Sequence, residues 1–104
     1  MVKIEEARRF ASSMREVEEQ PHFEKASFRI RNKIFMTLDT KKDQAVLKLT
    51  EMDQSLFGAF DDTIIYPVRN KWGKQGWTTV ELNRVPKNTF QDALKAAYDH
   101  VSNK

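Results

Sequence analysis

A length of 104 residues, 39% of them apolar and eleven aromatic (Phe 7, Trp 2, Tyr 2), suits one domain over 1–104 with one modest core. The lack of cysteine excludes disulfides, thiolate metal sites and a cysteine nucleophile. A net charge of +3 is too mild to mark a nucleic-acid binder by itself, and no run approaches the roughly 18 apolar residues of a membrane span.

Along the chain, Ile4, Ala7, Phe10, Ala11, Met14 and Val17 form one stripe at helical spacing, with Glu5, Glu6, Arg8, Arg9, Arg15 and Glu16 largely outside it. Pro21 disfavours helical geometry at Gln20 and helps to close this first helix. From Ser27 the period changes to two. Phe28 and Ile30 alternate with Arg29 and Arg31, and Arg31-Asn32-Lys33 supplies a tight turn, since asparagine tolerates positive φ. Ile34, Met36 and Leu38 then alternate with Phe35 and Thr37. Asp39 to Asp43 is a second polar turn, and Gln44 to Leu49 a third strand with Ala45, Leu47 and Leu49 opposite Val46 and Lys48. Turns this short require antiparallel neighbours, because a parallel return needs a long crossover.

Thr50 and Asp53 form a capping box for a short helix with Met52, Leu56 and Phe60 on one face. Thr63 to Val68 reads as a fourth strand whose Pro67, lacking an N–H, suits an edge or a strand end. Arg69 to Gly76 reads as a basic loop with two glycines, and Trp77 to Leu82 as a fifth strand with Trp77 in the core. After a connector, Thr89 and Asp92 make a second capping box. The last helix carries Phe90, Ala93, Leu94, Ala97, Tyr98 and Val101 on one stripe. The expected architecture is α+β, in the order α-β-β-β-α-β-β-α, with a five-stranded antiparallel sheet packed by helices.

Charge is segregated along this order. Residues 1–24 carry a net −2, residues 25–48 +5, residues 49–68 −4 and residues 69–74 +3. Three sets of bases follow. Arg29, Arg31 and Lys33, with Lys48, lie on the polar side of strands, where they could track phosphates or serve as a solvated face that guards an edge from aggregation. Lys41 and Lys42 sit at a tip shared with Asp39 and Asp43. Arg69, Lys71, Trp72 and Lys74 place an indole among cations, which suits either stacking on a base or anchoring a loop to the core.

Catalytic chemistry finds no such constellation. Three glycines form neither GxGxxG nor GxxxxGK, and neither His22 nor His100 has a partner legible in sequence for a serine nucleophile. The crowding of Glu18, Glu19, His22 and Glu24 lacks metal-ligand spacing. No enzyme activity, cofactor or metal is expected. Met1-Val2-Lys3 runs straight into a charged segment with no apolar h-region, so a cytoplasmic location is expected.

Across nearly its whole length the chain resembles the MmcQ/YjbR family. The resemblance is carried by Glu18-Glu19-Gln20-Pro21-His22-Phe23, Ser27-Phe28-Arg29-Ile30-Arg31-Asn32-Lys33-Ile34-Phe35, Val46-Leu47-Lys48, Gly76-Trp77-Thr78-Thr79-Val80-Glu81-Leu82 and Ala97-Tyr98-Asp99-His100-Val101. It departs at Asn32, where a turn glycine is common, at Glu24 for a small residue, and at His100 in a usually apolar slot. The resemblance implies an α-β(3)-α-β(2)-α fold and DNA binding through a double wing of hairpins. Here Arg29, Arg31, Lys33, Lys48, Arg69, Lys71, Trp72 and Lys74 would be the contacting residues. The alternative is a non-enzymatic protein-interaction module with a chaperone-like fold, docking a protein partner on a sheet face or edge.

Overall fold

In the computed structural model, which describes residues 1–22 and 24–103 (His22 by its backbone alone), ten elements succeed one another. They are α1 (Ile4–Ser12), β1 (Val17–His22), β2 (Lys25–Ile30), β3 (Lys33–Asp39), β4 (Gln44–Lys48), α2 (Glu51–Gly58), β5 (Ile65–Pro67), α3 (Lys71–Lys74), β6 (Trp77–Glu81) and α4 (Lys87–Ser102). The strands make one antiparallel sheet in the order β1-β2-β3-β4-β6-β5. The α+β class and the antiparallel sheet are those expected, but the sheet has six strands instead of five.

The sixth is β1, in the stretch assigned to the end of the first helix. Helix α1 stops at Ser12, where the Ser13 hydroxyl turns back onto the Phe10 carbonyl at 2.8 Å, and Glu16 adopts φ 65 before the chain extends. Serine side chains compete for backbone groups in this way and shorten helices. Pro21 then lies in the outermost strand opposite Ala26, at an edge where a missing N–H costs no ladder bond. Of the motif quoted for this region, Phe23 lies outside the described residues.

The hairpins follow the turn chemistry. Arg31 and Asn32 have φ of 50 and 68, the left-handed pair of a type I′ turn. At the next tip the Asp39 carboxylate accepts from the backbone N–H groups of Lys41 and Lys42 at 3.0 and 3.2 Å. Strand β5 is three residues long, ends on Pro67 and forms the other sheet edge, as the proline indicated. The Thr50 hydroxyl accepts from the Asp53 N–H at 3.0 Å and starts α2. At α4 the capping residue is Pro86, so Thr89 sits inside the first turn and the expected Thr89–Asp92 box does not form. A proline with φ −61 already holds a helical φ and offers no N–H to satisfy.

Register divides the sheet into two faces. Phe28, Met36, Leu47, Leu38, Ala45 and Val80 are fully buried on one face, under the buried stripe of α4 formed by Phe90, Ala93, Leu94 and Ala97. Helix α1 lies beside α4, with Phe10 and Phe90 rings 6.4 Å apart, and Lys87 bridges to Glu6 at 2.7 Å. Each fully buried large side chain here contributes about 1.5–3 kcal/mol of hydrophobic stabilisation.

Strict alternation fails once. Between Phe28 and Arg29 the β2–β3 register shifts, so Phe35 is an extra residue in β3. Phe35 and Met36 are both fully buried, and Phe35 meets Tyr98 of α4 edge-on at 5.8 Å. Ile34, expected beside Met36 and Leu38, faces the opposite way with Thr37.

Candidate functional site: an aromatic groove on the open face

The opposite face carries Glu18, Gln20, Lys25, Ser27, Arg29, Ile34, Thr37, Val46, Lys48, Trp77, Thr79 and Tyr66, related by cross-strand pairs such as Arg29↔Ile34, Thr37↔Val46 and Lys48↔Trp77. No long helix covers it. Among the described residues, only the single turn α3 reaches over it, from the β5 end.

Segment 69–76, expected as a loop, is shaped by three local devices. The Asn70 side chain accepts from the Trp72 N–H at 2.9 Å and starts α3. Gly73 packs so close that a Cβ would run into the Val68 carbonyl oxygen. Gly76, at φ +101, is pressed against the Leu49 carbonyl, while Leu49 N–H donates to the Gly76 carbonyl at 2.9 Å. Both glycines are therefore required where they stand. On the helix side, the Gln54 amide of α2 donates to the Gly73 carbonyl at 2.9 Å and to the Thr78 hydroxyl at 3.0 Å. The turn is fixed, and it holds Trp72 at the surface, 48% exposed.

Beneath Trp72 lies a groove of about 450 Å³ lined by Lys25, Ile34, Thr37, Val46, Val68, Trp72 and Trp77. Among the described residues that line it there is no acid. Trp77 is half-buried on this face and not in the core as expected, because Trp77 pairs with Lys48 and the inward position falls to Thr78. The Lys48 ammonium stands 5.6 Å from the Trp77 ring centre and donates to the Gln75 carbonyl, a cation–π contact that also ties β4 to α3.

The eight residues selected from sequence separate into two groups. Lys48 and Trp72 meet at the α3 end of the open face, and Arg69 and Lys71 lie just before Trp72 in the chain. Lys74 lines a second hollow with Glu51 and Gln54 of α2, and Arg29 lies on the open face with its Nε donating to the Ser27 hydroxyl at 3.0 Å. Arg31 turns away. Its guanidinium pairs with Glu16 at 3.3 Å and donates to the Ser102 carbonyl at the end of α4, on the helix side. Lys33 is exposed beside that turn. The groove also contains residues that charge and motif counting passed over, namely Lys25, Ile34, Thr37, Val46 and Val68. Only alternation could have found them, and the β3 bulge hides Ile34 from it.

At the far end of this face, the Tyr66 hydroxyl donates to Glu81, whose carboxylate also accepts from the Gln44 amide at 2.9 Å. Burial, then the hydrogen bond and negative charge of Glu81, push the Tyr66 phenol above its usual value. A second surface differs in kind. Met52, Leu56 and Phe60 of the α2 segment are 80%, 66% and 52% exposed, while Phe57 packs on the core instead.

Among the described residues, no group of three or more His, Asp or Glu could hold a metal ion, and no helix is long and apolar enough to cross a membrane. The family model described as YjbR matches residues 12–100. The fold is also similar to that of Deinococcus radiodurans protein DR2400, a crystal structure with a DUF419 domain. The two superpose with a TM-score of 0.87 at 20% identity, over 100% of this chain and 81% of that one. No curated protein matches. With the match extending from the end of α1 to within α4, the chain belongs to the YjbR family.

Proposed function

We propose that this domain binds nucleic acid, without chemical conversion, across the α3 end of its open sheet face. The observation that carries this is the exposed indole of Trp72, held by a fixed turn between Lys71 and Lys74 and above an acid-free groove. Aromatic side chains provide stacking surfaces, and the surrounding cations hold the phosphate backbone. Arg69, Lys71, Lys74, Lys48, Arg29 and Lys25 supply those cations. Arg31 is engaged on the helix side and is not among them.

Fluorescence anisotropy with a labelled oligonucleotide at several salt concentrations tests it. Four phosphate contacts give a log–log salt slope of roughly −3.6 on duplex and about −2.8 on a single strand. Replacing Arg69, Lys71 and Lys74 together by Ala should flatten the slope by about 2 to 3. No binding to either form at low salt would sink the proposal.

A second function has an observation of its own. The exposed Met52–Leu56–Phe60 stripe supports protein docking at α2, away from the groove, since exposed apolar patches mark interaction surfaces. A mass that stays monomeric at all concentrations, together with no partner lost on Leu56→Asp, would remove it.

A further inference from the structure

We infer that the groove takes an unpaired strand in preference to a duplex, with one base laid against the Trp72 indole and little dependence on which base it is. This deepens the nucleic-acid function proposed above and rests on it.

The lining decides the class of ligand. Trp72 and Trp77 with the alkyl groups of Ile34, Val46 and Val68 make an apolar trough, and its volume of about 450 Å³ falls within the range of small-molecule sites. A sugar–phosphate backbone has nothing to offer such a floor. The flat face of a base does, and that face is available only when the base is unpaired and unstacked. To reach it in a duplex, the indole would have to pay a few kcal/mol of unstacking.

Charge is placed to suit a strand lying along the trough. Lys48 stands at the Trp77 end on β4, and Lys25 lies on β2, about four residues (roughly 13 Å) further in the strand direction and two strands (roughly 10 Å) to the side. Lys71 adjoins the indole on α3 and Arg69 lies just before it, while Lys74 lies at the α2 side of the same turn with Glu51 and Gln54. Lys25 is the cation of the trough lining and Lys48 stands at its Trp77 end, whereas the two hairpin tips that would have to grip a rigid duplex from outside pair with acids. Arg31 is held by Glu16 and the Ser102 carbonyl. Lys41 faces Glu24 at 3.6 Å, and Asp39 and Asp43 share its tip.

Base identity has little to be read by. Among the described residues of the lining, the polar groups besides Lys25 are the Thr37 hydroxyl and the indole N–H groups of Trp72 and Trp77, single-point groups that do not make the two-point contacts that separate one base from another.

The experiment compares three labelled probes on the full chain at one low salt concentration: a short oligothymidylate, a duplex of equal length, and an abasic oligomer with the same backbone. The oligothymidylate should bind at least tenfold tighter than the other two and quench tryptophan emission. Trp72→Ala should weaken it by roughly five- to 150-fold, the worth of one stacked base, and Trp72→Phe should restore most of that. Trp72 is exposed, so an unchanged circular dichroism spectrum is expected for both variants. Duplex or abasic binding as tight as the oligothymidylate, or oligothymidylate binding that Trp72→Ala leaves unaltered, overturns the inference while the nucleic-acid function stands. Failure of all three probes overturns both.

Discussion

The two faces of this sheet are made from the same four central strands and yet obey different rules. On the helix side, neighbouring strands present Phe28, Met36 and Leu47 in direct register, fully buried beneath α4. On the open side the same strands present Arg29, Thr37, Val46 and Lys48, half-buried and without a covering helix. The first face is specified by packing, where each methylene removed leaves a void. The second is specified by what it leaves uncovered, and its aromatic residues are held by contacts at their edges. Stability should therefore be concentrated on one side and recognition on the other.

The sharpest way to break that comparison is to substitute adjacent residues that point oppositely. Phe35→Ala should cost about 3–5 kcal/mol by chemical denaturation, as expected for a large buried side chain. Ile34→Ala, one residue earlier, should cost about 1 kcal/mol and should alter the groove instead. Equal losses would mean that the open face belongs to the core after all.

Gly76→Ala comes next. It forces a side chain into a left-handed position against the Leu49 carbonyl, for a loss of about 1–3 kcal/mol. Because Gly76 anchors α3, tryptophan emission should also shift, and an unchanged spectrum would show that Trp72 is not held through this glycine. Removing the ring itself should do less. Trp72→Ala should change stability by no more than about 0.5 kcal/mol, the usual range for a surface substitution. A larger loss in the denaturation midpoint would reassign Trp72 to structural anchoring.

The smallest effect is on pH dependence. The Tyr66 phenol titrates higher in the folded state than in the unfolded one, so its contribution is fully present below the ordinary tyrosine value of about 10. It is lost as pH rises through the raised folded value. Tyr66→Phe should remove that alkaline decline. If thermal melts of the variant keep the same decline between neutral and strongly alkaline pH, Glu81 does not hold the phenol as described.

Much of the helix-covered face was legible in the sequence. Period two located β2, β3 and β4, asparagine and aspartate marked both tight turns, and the α4 stripe named its buried residues. Edge strand β1 was not legible. Its outward positions include Glu18 and Gln20, so it lacks the β-branched run that signals a strand, and Met14 and Val17 happen to continue the helical spacing. Met52, Leu56 and Phe60 follow helical spacing too, but they face away from the sheet while Phe57 packs inward. Periodicity reports that a helix has a stripe and not which side the rest of the molecule lies on.

The groove was harder still, because its members come from four strands and one turn. The charge pattern singled out Arg69, Lys71 and Lys74 around Trp72, on or just before α3. It could not show that Glu16 and the end of α4 would claim Arg31, a contact that spans 71 residues to Ser102. Nor could it place Lys25, whose position depends on sheet order.

The extra residue in β3 acts as a phase shifter. Upstream of it, odd and even positions exchange destinations, so one insertion decides whether a phenyl ring or an isoleucine faces outward from the same strand. Were the strand regular, Phe35 would form the groove floor, Ile34 would enter the interior, and the trough would present a third aromatic ring. Deleting Ile34 would leave a regular strand in which Phe35 takes the outward place opposite Arg29, moving a ring from the interior to the binding surface without altering the composition of either neighbouring strand. Recognition by this domain can be retuned through length as well as through residue identity.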